Sequence, residues 1–442
     1  MARKMKDSGI EWIGEIPEGW EVHRMKSCIS QRDGGAWGDE ATGETGDCIC
    51  LRIADFDYEH FRFTDSNNLT IRHYASPIIK KLLLQKNDIL IEKSGGGEKT
   101  PVGRTVLFDK EYPALFANFM DRLRCSDFIL PQYLQYVFVT FYKNRYTQNY
   151  IKQTTGIQNL DLSSMLADEF VPVPNLNEQK LIVCYLESKC SKIDNLLSKT
   201  RSSIEEYKKL KQAVITQAVT KGVRGEREMK DSGNPWFGQI PTDWKLSRVG
   251  LHFSIILGKM LCNAPLNDTY TLEPYYCAAD VHFDGVADGE RKKMWFSPIE
   301  KDLYRVSVGD LLVVEGGAGA GGSAIVENQD SYTYIQNSIM IVRSKGNTDN
   351  RYLRYLLEFL VKQGYIDIVC NKATIPHFTK DKLSGVPFCL CPTGEQEEIA
   401  DYLDAKCAEI DGLIAKKEQL VKELESYKKS LIYEVVTGKR EV

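Results

Sequence analysis

The sequence predicts an α/β protein in which two similar mixed α/β domains are joined by two long antiparallel helices that form a coiled coil, with an approximate two-fold relation between the halves. Three observations predict this architecture: an opening segment that occurs twice, a second pair of matching segments later in each half, and a heptad pattern that follows each of those. The 442 residues are long for one core and suit two domains of ordinary size with connecting elements.

The opening segment is the clearest repeat. Residues 5–20 recur without a gap as residues 229–244, at an offset of 224 (229 − 5), and both copies read M-K-D-S-G and then W-x-G-x-I-P-x-x-W. One chain therefore carries two copies of one unit. A protein built in this way can present two similar surfaces about an approximate two-fold axis, and duplex DNA has such an axis too.

A second pair of segments matches near the end of each half. Residues 177–179 read N-E-Q and residues 394–396 read G-E-Q, at an offset of 217 (395 − 178). Weaker matches between the two pairs keep their order, although most side chains in the middle differ. The two halves match near their ends and differ in between, which indicates a common fold that carries two different reading surfaces. The alternative is that the two halves of a duplicated fold have diverged in sequence without taking different roles.

A long helix is predicted after each of these segments. Apolar residues recur there at alternating steps of four and three, which is the a/d pattern of a supercoiled seam. The predicted seam positions are Ile182, Leu186, Ile193, Leu196, Tyr207, Leu210 and Val214 in the first helix, and Ile399, Leu403, Ile410, Leu413, Leu420, Leu424, Tyr427 and Leu431 in the second.

The length of these helices predicts a spacer. About 40 residues of helix span roughly 60 Å, far more than a domain core requires. We expect antiparallel packing, because a two-fold relation between halves makes equivalent helices run in opposite directions. An ordinary helical hairpin and a zipper between two chains are the alternatives. The predicted boundaries are residues 1–176 for the first recognition domain, 177–222 for the first helix, 223–393 for the second recognition domain and 394–442 for the second helix.

Composition favours a cytoplasmic protein without a bound metal. The hydrophobic fraction is 43%, and neither an apolar run long enough to span a bilayer nor a signal peptide is visible. The twelve cysteines lack zinc-site spacing, so we expect small apolar fillers in a reducing compartment. A net charge of −4 argues against coating nucleic acid by bulk charge but leaves room for a local basic face.

Glycine loops in the two middles are the first candidates for DNA contact. Residues 92–104 mix glycines with three cations, and glycine lets a backbone approach phosphates while Lys or Arg reaches phosphates or a guanine edge. The partner loop, residues 315–323, has glycines but no cation. A flexible hairpin is the alternative, and neither loop has the G-K-[ST] of an ATP-binding P-loop. The candidate residues are Lys93, Lys99 and Arg104 in the first loop, and Gly317 and Gly319 in the second.

Two further groups are candidates. Residues 141–152 interleave cations with tyrosines, although such a stripe is more often a packed face. The segments 153–159 and 371–377 occupy equivalent places and supply Gln, Asn, Thr and His, which can read adenine or thymine edges or hold phosphates. The candidates are Lys143, Arg145 and Lys152 in the helical stretch, Gln158 and Asn159 in the first segment, and Lys372, Thr374 and His377 with the nearby Lys380 in the second.

Catalytic motifs are absent from the sequence. It has no N-P-P-[YF] signature for a methylating pocket and no Walker motif, and Asp88 with Glu92-Lys93 lacks the E-x-K spacing that a nuclease metal site would need. Because these catalytic signatures are missing, the sequence favours a binding protein that is not an enzyme.

The features named so far resemble the DNA-specificity subunit of type I restriction-modification systems over nearly the whole chain. The resemblance rests on the two W-x-G-x-I-P-x-x-W openings, the segment Ala54-Asp55-Phe56, the strands at Asp88 and Asp310 that precede the glycine loops, and the N/G-E-Q helices. It implies two target-recognition domains, each reading one half of a bipartite asymmetric site in double-stranded DNA. The long helices would set the gap and dock modification subunits.

The resemblance also implies which chemistry lies elsewhere. In that family two modification subunits methylate adenine with S-adenosylmethionine, and restriction subunits use ATP and Mg²⁺ for translocation and cleavage, so this chain would bind no cofactor itself. Two alternatives are a stand-alone or type II-like site-specific DNA-binding module and a coiled-coil scaffold that binds no DNA.

Overall fold

The computed structural model describes residues 3–64, 68–154, 156–328, 332–370 and 376–442. The chain divides into two compact units. The first unit comprises Met1–Ser202 and Lys417–Val442, and the second comprises Ser203–Lys416. Each unit thus holds one of the divergent middles with part of both long helices, and the domain boundaries drawn from the sequence stay a prediction.

The first unit is a mixed α/β structure, as the sequence predicts. Its strands are β1 Met5–Asp7, β2 Glu15–Pro17, β3 Glu21–Arg24, β4 Ile29–Gly34, β5 Asp39–Glu40, β6 Asp47–Leu51, β7 Phe56–Asp57, β8 Arg62–Phe63, β9 Ile71–His73, β10 Ile89–Glu92, β11 Ser94–Gly95, β12 Thr105–Leu107, β13 Ala114–Phe116, β14 Met120–Cys125, β15 Ile151–Thr154, β16 Ile157–Leu160 and β17 Phe170–Val173. Its helices are α1 Ser76–Leu82, α2 Pro131–Lys143, α3 Leu162–Asp168 and the first part of α4 Leu176–Lys221, with 3₁₀ turns at Met25–Cys28, Ile53–Asp55 and Tyr146–Tyr150.

A six-stranded sheet forms the centre of the first unit, in the order β4-β14-β10-β12-β8-β7. A four-stranded sheet, β13-β6-β9-β5, and a three-stranded sheet, β11-β16-β15, accompany it. Strand β10 is buried at all four positions, because it lies between two neighbours within the central sheet. Helix α2 covers this sheet with an apolar face that includes Tyr133, Val137 and Phe141, all fully buried.

The second unit repeats this plan in a reduced form. Its strands are β18 Met229–Asp231, β19 Gln239–Pro241, β20 Lys245–Arg248, β21 Phe253–Leu257, β22 Thr271–Tyr276, β23 Val281–His282, β24 Gly285–Val286, β25 Lys292–Phe296, β26 Leu311–Val314, β27 Ser323–Ile325, β28 Tyr334–Ile335, β29 Ile339–Ser344 and β30 Pro387–Leu390. Its helices are the second part of α4, α5 Val249–His252, α6 Pro298–Tyr304, α7 Asn350–Lys362, α8 Tyr365–Val369, α9 Lys380–Ser384 and α10 Thr393–Val436, of which the last part belongs to the first unit; a 3₁₀ turn spans Ala278–Asp280.

A four-stranded sheet, β21-β29-β26-β27, is the central sheet of the second unit. Its three-strand series β21-β29-β26 corresponds to β4-β14-β10, with antiparallel pairing throughout. The smaller sheets are β25-β22-β28, β20-β30, β18-β19 and β23-β24. Among the described residues, no helix is long and apolar enough to cross a membrane.

The two long helices run antiparallel within each unit, as predicted. In the first unit Asp194 of α4 binds Lys428 of α10 at 2.6 Å, and Arg201 binds Glu425 at 2.7 Å, so numbering rises on one helix as it falls on the other. In the second unit Lys211 of α4 binds Asp411 of α10 at 2.6 Å. These aspartates and lysines are equivalent in the duplicated sequence, since each pair differs by 217 (411 − 194 and 428 − 211).

The buried seam of the helices differs from the predicted one. Four predicted positions are exposed, namely Leu196, Leu210, Leu420 and Tyr427. Buried residues instead include Cys190, Leu197, Ile204 and Cys407. Leu196 and Leu197 lie three and four residues after Ile193, so the heptad pattern allows either of them in the seam. The prediction left out Cys190, a small apolar residue, and one heptad after Cys190 is Leu197. The prediction was wrong by one residue along this stretch.

Each opening segment packs on the last turn of a helix. In the first unit Trp20 is buried against the end of α10, and in the second Trp244 is buried against the end of α4. Gly438 (φ +72°) and Gly222 (φ +76°) follow the last turns of α10 and α4, and a Cβ there would lie 3.1 Å from the Trp20 ring and 3.3 Å from the Trp244 ring. Left-handed backbone and close packing both require glycine there.

The twelve cysteines are free thiols, and seven of them are buried. Burial raises the pKa of Cys28 to about 12, with a smaller opposing effect from Ser27. A thiol with so high a pKa is a packing residue, which agrees with the interpretation of the cysteines as apolar fillers.

Candidate nucleic-acid interface

The structure brings the first glycine loop and the segment 153–159 together in the first unit. Strand β11 pairs with β16, with Ser94 opposite Asn159 and Gly95 opposite Gln158. The Ser94 hydroxyl donates to Asn159 Oδ1 at 2.6 Å, and the Leu160 amide donates to the Lys93 carbonyl at 2.8 Å. Two groups that lie more than fifty residues apart in the sequence therefore form one surface.

The second unit contains the same backbone pairing. Gly316 forms a β-bridge with His377, and the Phe378 amide donates to the Glu315 carbonyl at 2.6 Å. The Gly317 amide donates to the Pro376 carbonyl at 3.2 Å. Glu315 occupies the place of Lys93, so the two surfaces share a frame and differ in charge.

A tight turn completes the surface in both units. In the first unit the Lys93 and Ser94 amides donate to the Phe119 carbonyl at 2.9 and 3.3 Å. In the second the Glu315 amide donates to the Ser338 carbonyl at 2.8 Å. The sequence prediction missed Phe119 as a candidate. One sequence signal lies beside it, since Asn118 in the first half is matched by Asn337 in the second.

Lys93 is held at the base of the loop by a buried carboxylate. Its ammonium lies 2.7 Å from Asp121, which also accepts a hydrogen bond from Arg32 Nε at 2.7 Å. Two cations on one carboxylate leave a local excess of positive charge. About a third of the Lys93 side chain is exposed, so its ammonium is oriented and still reachable.

Arg104 is engaged inside the protein. It makes a bidentate pair with the buried Glu92 at 2.7 and 2.8 Å, and its guanidinium lies 3.6 Å from the centre of the Tyr58 ring. Burial would lower the pKa of Arg104, but the hydrogen bonds to Glu92 raise it above its ordinary value. The pair anchors the strands that flank the loop, and contact of Arg104 with DNA stays a prediction.

The remaining candidates near this surface differ in accessibility. Lys99 is exposed in the loop. Lys152 is exposed and binds Asp161 at 2.7 Å, and that contact, together with the Ser164 amide, lowers the pKa of Asp161 to about 2. Gln158 is buried and accepts from the Val102 amide at 3.3 Å, so it holds the loop, whereas Asn159 is exposed.

The structure does not bring Lys143 to this surface. Lys143 lines a cleft with Lys428 and Lys429 of α10, and burial together with Lys428 lowers the pKa of Lys143. Arg145 is exposed at the turn after α2 with φ +65°. The tyrosines of this stretch belong to a packed face, since the ring centres of Tyr146 and Phe141 lie 5.4 Å apart.

In the second unit the glycine loop is open. Gly317 has φ +87°, and among the described residues none lies within 4 Å of a Cβ placed there, while a Cβ on Gly319 would meet Val314 at 3.8 Å. His377 is exposed with Nδ1 3.9 Å from Glu315, and Lys380 is exposed at the start of α9. Lys372 and Thr374 lie outside the described residues.

Nothing in the described ranges points to a metal centre, since no three His, Cys, Asp or Glu side chains are grouped as metal ligands would be. The surface offers backbone amides, cations, hydroxyls and carboxamides, which are the groups that contact phosphates and base edges.

Comparison with known proteins identifies the family. The model of the type I restriction modification DNA specificity domain matches residues 45–206 and 242–423. A Methanocaldococcus jannaschii protein assigned as the specificity subunit of type I restriction enzyme MjaX is 27% identical over 97% of this chain and 95% of its own length. The StySPI specificity subunit of Salmonella potsdam is 22% identical over 96% of this chain and 90% of its own.

Solved structures share the fold. A chain from a study of complex assembly and conformational transition of the type I R-M system superposes with a TM-score of 0.72 at 17% identity, covering 96% of this chain and 99% of that one. The HsdS subunit from Thermoanaerobacter tengcongensis gives 0.55 at 15% identity, covering 96% and 98%. The resemblance drawn from the motifs is confirmed, and so is the fold class. The family model matches this chain twice, and the two matches together cover well over half of the chain. This chain therefore belongs to the family of type I restriction modification DNA specificity domains.

Proposed function

We propose that this chain selects the DNA sequence on which a type I restriction-modification complex acts, with each recognition domain reading one half of a bipartite asymmetric site. One observation carries the proposal. The same backbone bridge, Ser94 with Asn159 and Gly316 with His377, presents unlike side chains in the two units. A shared frame with unlike contact groups is what reading two different half-sites requires.

The long helices act as a spacer and as a docking surface for two modification subunits. Helix α4 has 46 residues and α10 has 44, which corresponds to roughly 65 Å each. Their exposed apolar side chains suit burial against partner subunits. Leu210 and Tyr427, which are equivalent at the 217 offset, are both about half exposed.

The chain does no chemistry in this proposal. Methylation with S-adenosylmethionine belongs to the modification subunits, and cleavage with ATP and Mg²⁺ belongs to restriction subunits. The absence of catalytic motifs from the sequence supports this division, as does the make-up of the surface from binding groups.

Sequencing the methylated bases of cellular DNA tests the proposal. Cells with the chain and its modification subunits should show one bipartite methylated motif, and cells without the chain should lose it. Replacing residues 45–176 by the equivalent segment of a relative should change one half of the motif only. A motif that survives deletion of the chain would contradict the proposal. Sequence-selective binding by the pure chain without modification subunits would favour a stand-alone DNA-binding module.

A further inference from the structure

An apolar cleft lies beside the proposed DNA surface of the first unit. Strand β4 is followed by Gly35, whose Cβ would lie 2.2 Å from the Ala117 carbonyl oxygen, so the segment after β4 is pressed against the turn 117–119. The Gly35 amide donates to the Met120 carbonyl at 3.0 Å. This contact places Trp37 near Phe119, and the two rings line a cleft of about 450 Å³.

Both rings are unusually exposed for their size. Trp37 is 41% exposed and Phe119 is 52% exposed. The rest of the cleft is lined by Ile53, Ala54, Ala117, Asn118 and Arg52, of which Arg52 is already paired with Asp55 at 3.2 Å. A concave apolar surface of this kind favours an apolar occupant, because its burial removes both partners from water.

The cleft adjoins the loop that carries the basic candidates. The Phe119 carbonyl accepts from the amides of Lys93 and Ser94, so the backbone of Phe119 is bonded directly to the loop beside the β11–β16 surface. A duplex held by the cations of this loop would present a groove to the cleft. In the major groove the apolar group on a base edge is the C5-methyl of thymine.

One face of the indole is already occupied. The guanidinium of Arg72 lies 4.7 Å from the centre of the Trp37 ring and donates to the carbonyls of Trp37 and Gly38. This cover leaves less room for stacking an extruded base and favours an edge contact with a methyl group.

We propose that Trp37 and Phe119 read a thymine in the half-site of the first domain by enclosing its C5-methyl group. The inference rests on the proposed function, since it needs the first domain to face DNA.

The second unit provides an internal comparison. Gly258 there approaches the Gln336 carbonyl as closely, at 2.4 Å, and the position two residues later is Met260. The residue in the place of Phe119 is Ser338, whose hydroxyl accepts from the Ala278 amide at 3.1 Å. A polar group at this turn removes the apolar wall, so the second domain would not make the same contact.

Deoxyuridine, which is thymine without the methyl group, is the probe. Sequencing of methylated bases first defines the bipartite site. The complex with modification subunits is then titrated with duplexes in which each thymine of the site is replaced in turn by deoxyuridine. We expect one position at which the replacement weakens binding about four-fold, the effect of one buried methyl group.

Phe119→Ala and Trp37→Ala should each remove this discrimination. Their affinity for the deoxyuridine duplex should equal that of the wild type, which also verifies folding. Met260→Ala is the matched control and should keep the four-fold ratio. A site without a sensitive thymine would overturn the inference, and so would a ratio that survives both aromatic substitutions. Equal weakening on both duplexes, with loss of modification subunits from the complex, would also overturn it and assign the cleft to a protein contact. Absence of any bipartite methylated motif would instead contradict the proposed function.

Discussion

At the scale of single residues, the loop beside the proposed DNA surface depends on a buried ion pair. Glu92 is fully buried, and Arg104 is its bidentate partner. Removing one member of such a pair leaves a charge in the protein interior without compensation.

We expect Arg104→Ala to destabilise the protein by about 3 kcal/mol, because Glu92 would remain buried and unpaired. Lys99→Ala, in the same loop but exposed, should change stability by less than about 0.5 kcal/mol. Urea unfolding of both variants checks the difference. Equal stability of Arg104→Ala and the wild type would show that the pairing of Glu92 with Arg104 does not stabilise the fold.

A second buried carboxyl predicts a pH effect on the second unit. Burial raises the pKa of Glu358 above its ordinary value, although Arg354 lies 3.2 Å away and opposes the shift. A raised pKa means that the folded chain holds the proton more tightly than the unfolded chain. The stabilising contribution is therefore complete below the ordinary value of 4.5 and is lost as the pH rises through the folded pKa.

Glu358→Gln should make stability less dependent on pH above 4.5, since it removes the titrating group. Each pKa unit of difference between the folded and unfolded chain corresponds to about 1.4 kcal/mol. Urea unfolding between pH 5 and 8 measures the slope for the wild type and the variant, with the exposed Glu397→Gln as control. Parallel slopes for all three proteins would refute the assignment.

Residue types predicted the candidate surface only in part. Glycine, cation and carboxamide patterns identified the loops and the segment 153–159, and β11–β16 pairing unites them. The sequence could not show that Arg104 points inward to Glu92 or that Lys143 faces α10, because both depend on contacts between distant segments. Phe119 and Trp37 escaped prediction for a similar reason: an exposed aromatic residue has the same sequence signal as a buried one.

At the scale of secondary structure elements, the ends of α4 and α10 show why the opening segment occurs twice. Each copy packs its second tryptophan on the glycine that follows the last turn of a helix. Trp20 packs on Gly438, and Trp244 packs on Gly222. These contacts join segments that the periodicity of the sequence alone cannot connect. The seam was predicted well in kind and length, but the choice between adjacent leucines depended on Cys190.

We expect Gly222→Ala to cost about 1 to 2 kcal/mol, because an L-residue is strained at φ +76° and the new Cβ would lie 2.9 Å from the Glu395 carboxylate. Gly412 lies within α10 with open space around it, so Gly412→Ala should instead stabilise by about 0.5 to 1 kcal/mol. Thermal unfolding of the two variants should shift in opposite directions. A loss of stability in both would point to crowding around α10 that the structure lacks.

The helices also allow a test of the spacer role. One heptad is inserted between Arg201 and Lys211 in α4 and one between Asp411 and Glu425 in α10, so that both sets of ion pairs are retained. Seven residues add about 10 Å of helix, which corresponds to about three base pairs. We expect the gap of the methylated motif to lengthen while both half-sites stay the same. A heptad in one helix alone misaligns the pairs and serves as the control, and a change in the bases read would refute the spacer role.

At the scale of the whole molecule, segments from the beginning and the end of the sequence pack in the same unit. The last residues, Lys417–Val442, are part of the first unit. Lys439 donates to the Ile13 carbonyl at 2.7 Å, and the Tyr133 hydroxyl donates to the Val436 carbonyl at 3.0 Å. In the second unit the equivalent junction, between the end of α4 and β18, is covalent and spans residues 222–228. The first unit thus brings Lys439 into contact with Ile13 at the place where the second unit has this linker.

This arrangement predicts that the order of the two units along the chain is interchangeable. A short linker joins Val442 to Arg3, and new ends are opened between Gly225 and Glu226, a pair that lies in an exposed turn. Because each unit keeps all its contacts, the permuted chain should unfold at the temperature of the wild type and direct methylation to the same motif. Truncation after Lys416 is the contrasting variant, since it removes the end of α10 on which Trp20 packs and should unfold the first unit while the second persists. Thermal unfolding and sequencing of methylated DNA test both variants. A permuted chain that folds but directs methylation to a different motif would show that the order of the halves, beyond their contacts, determines what is read.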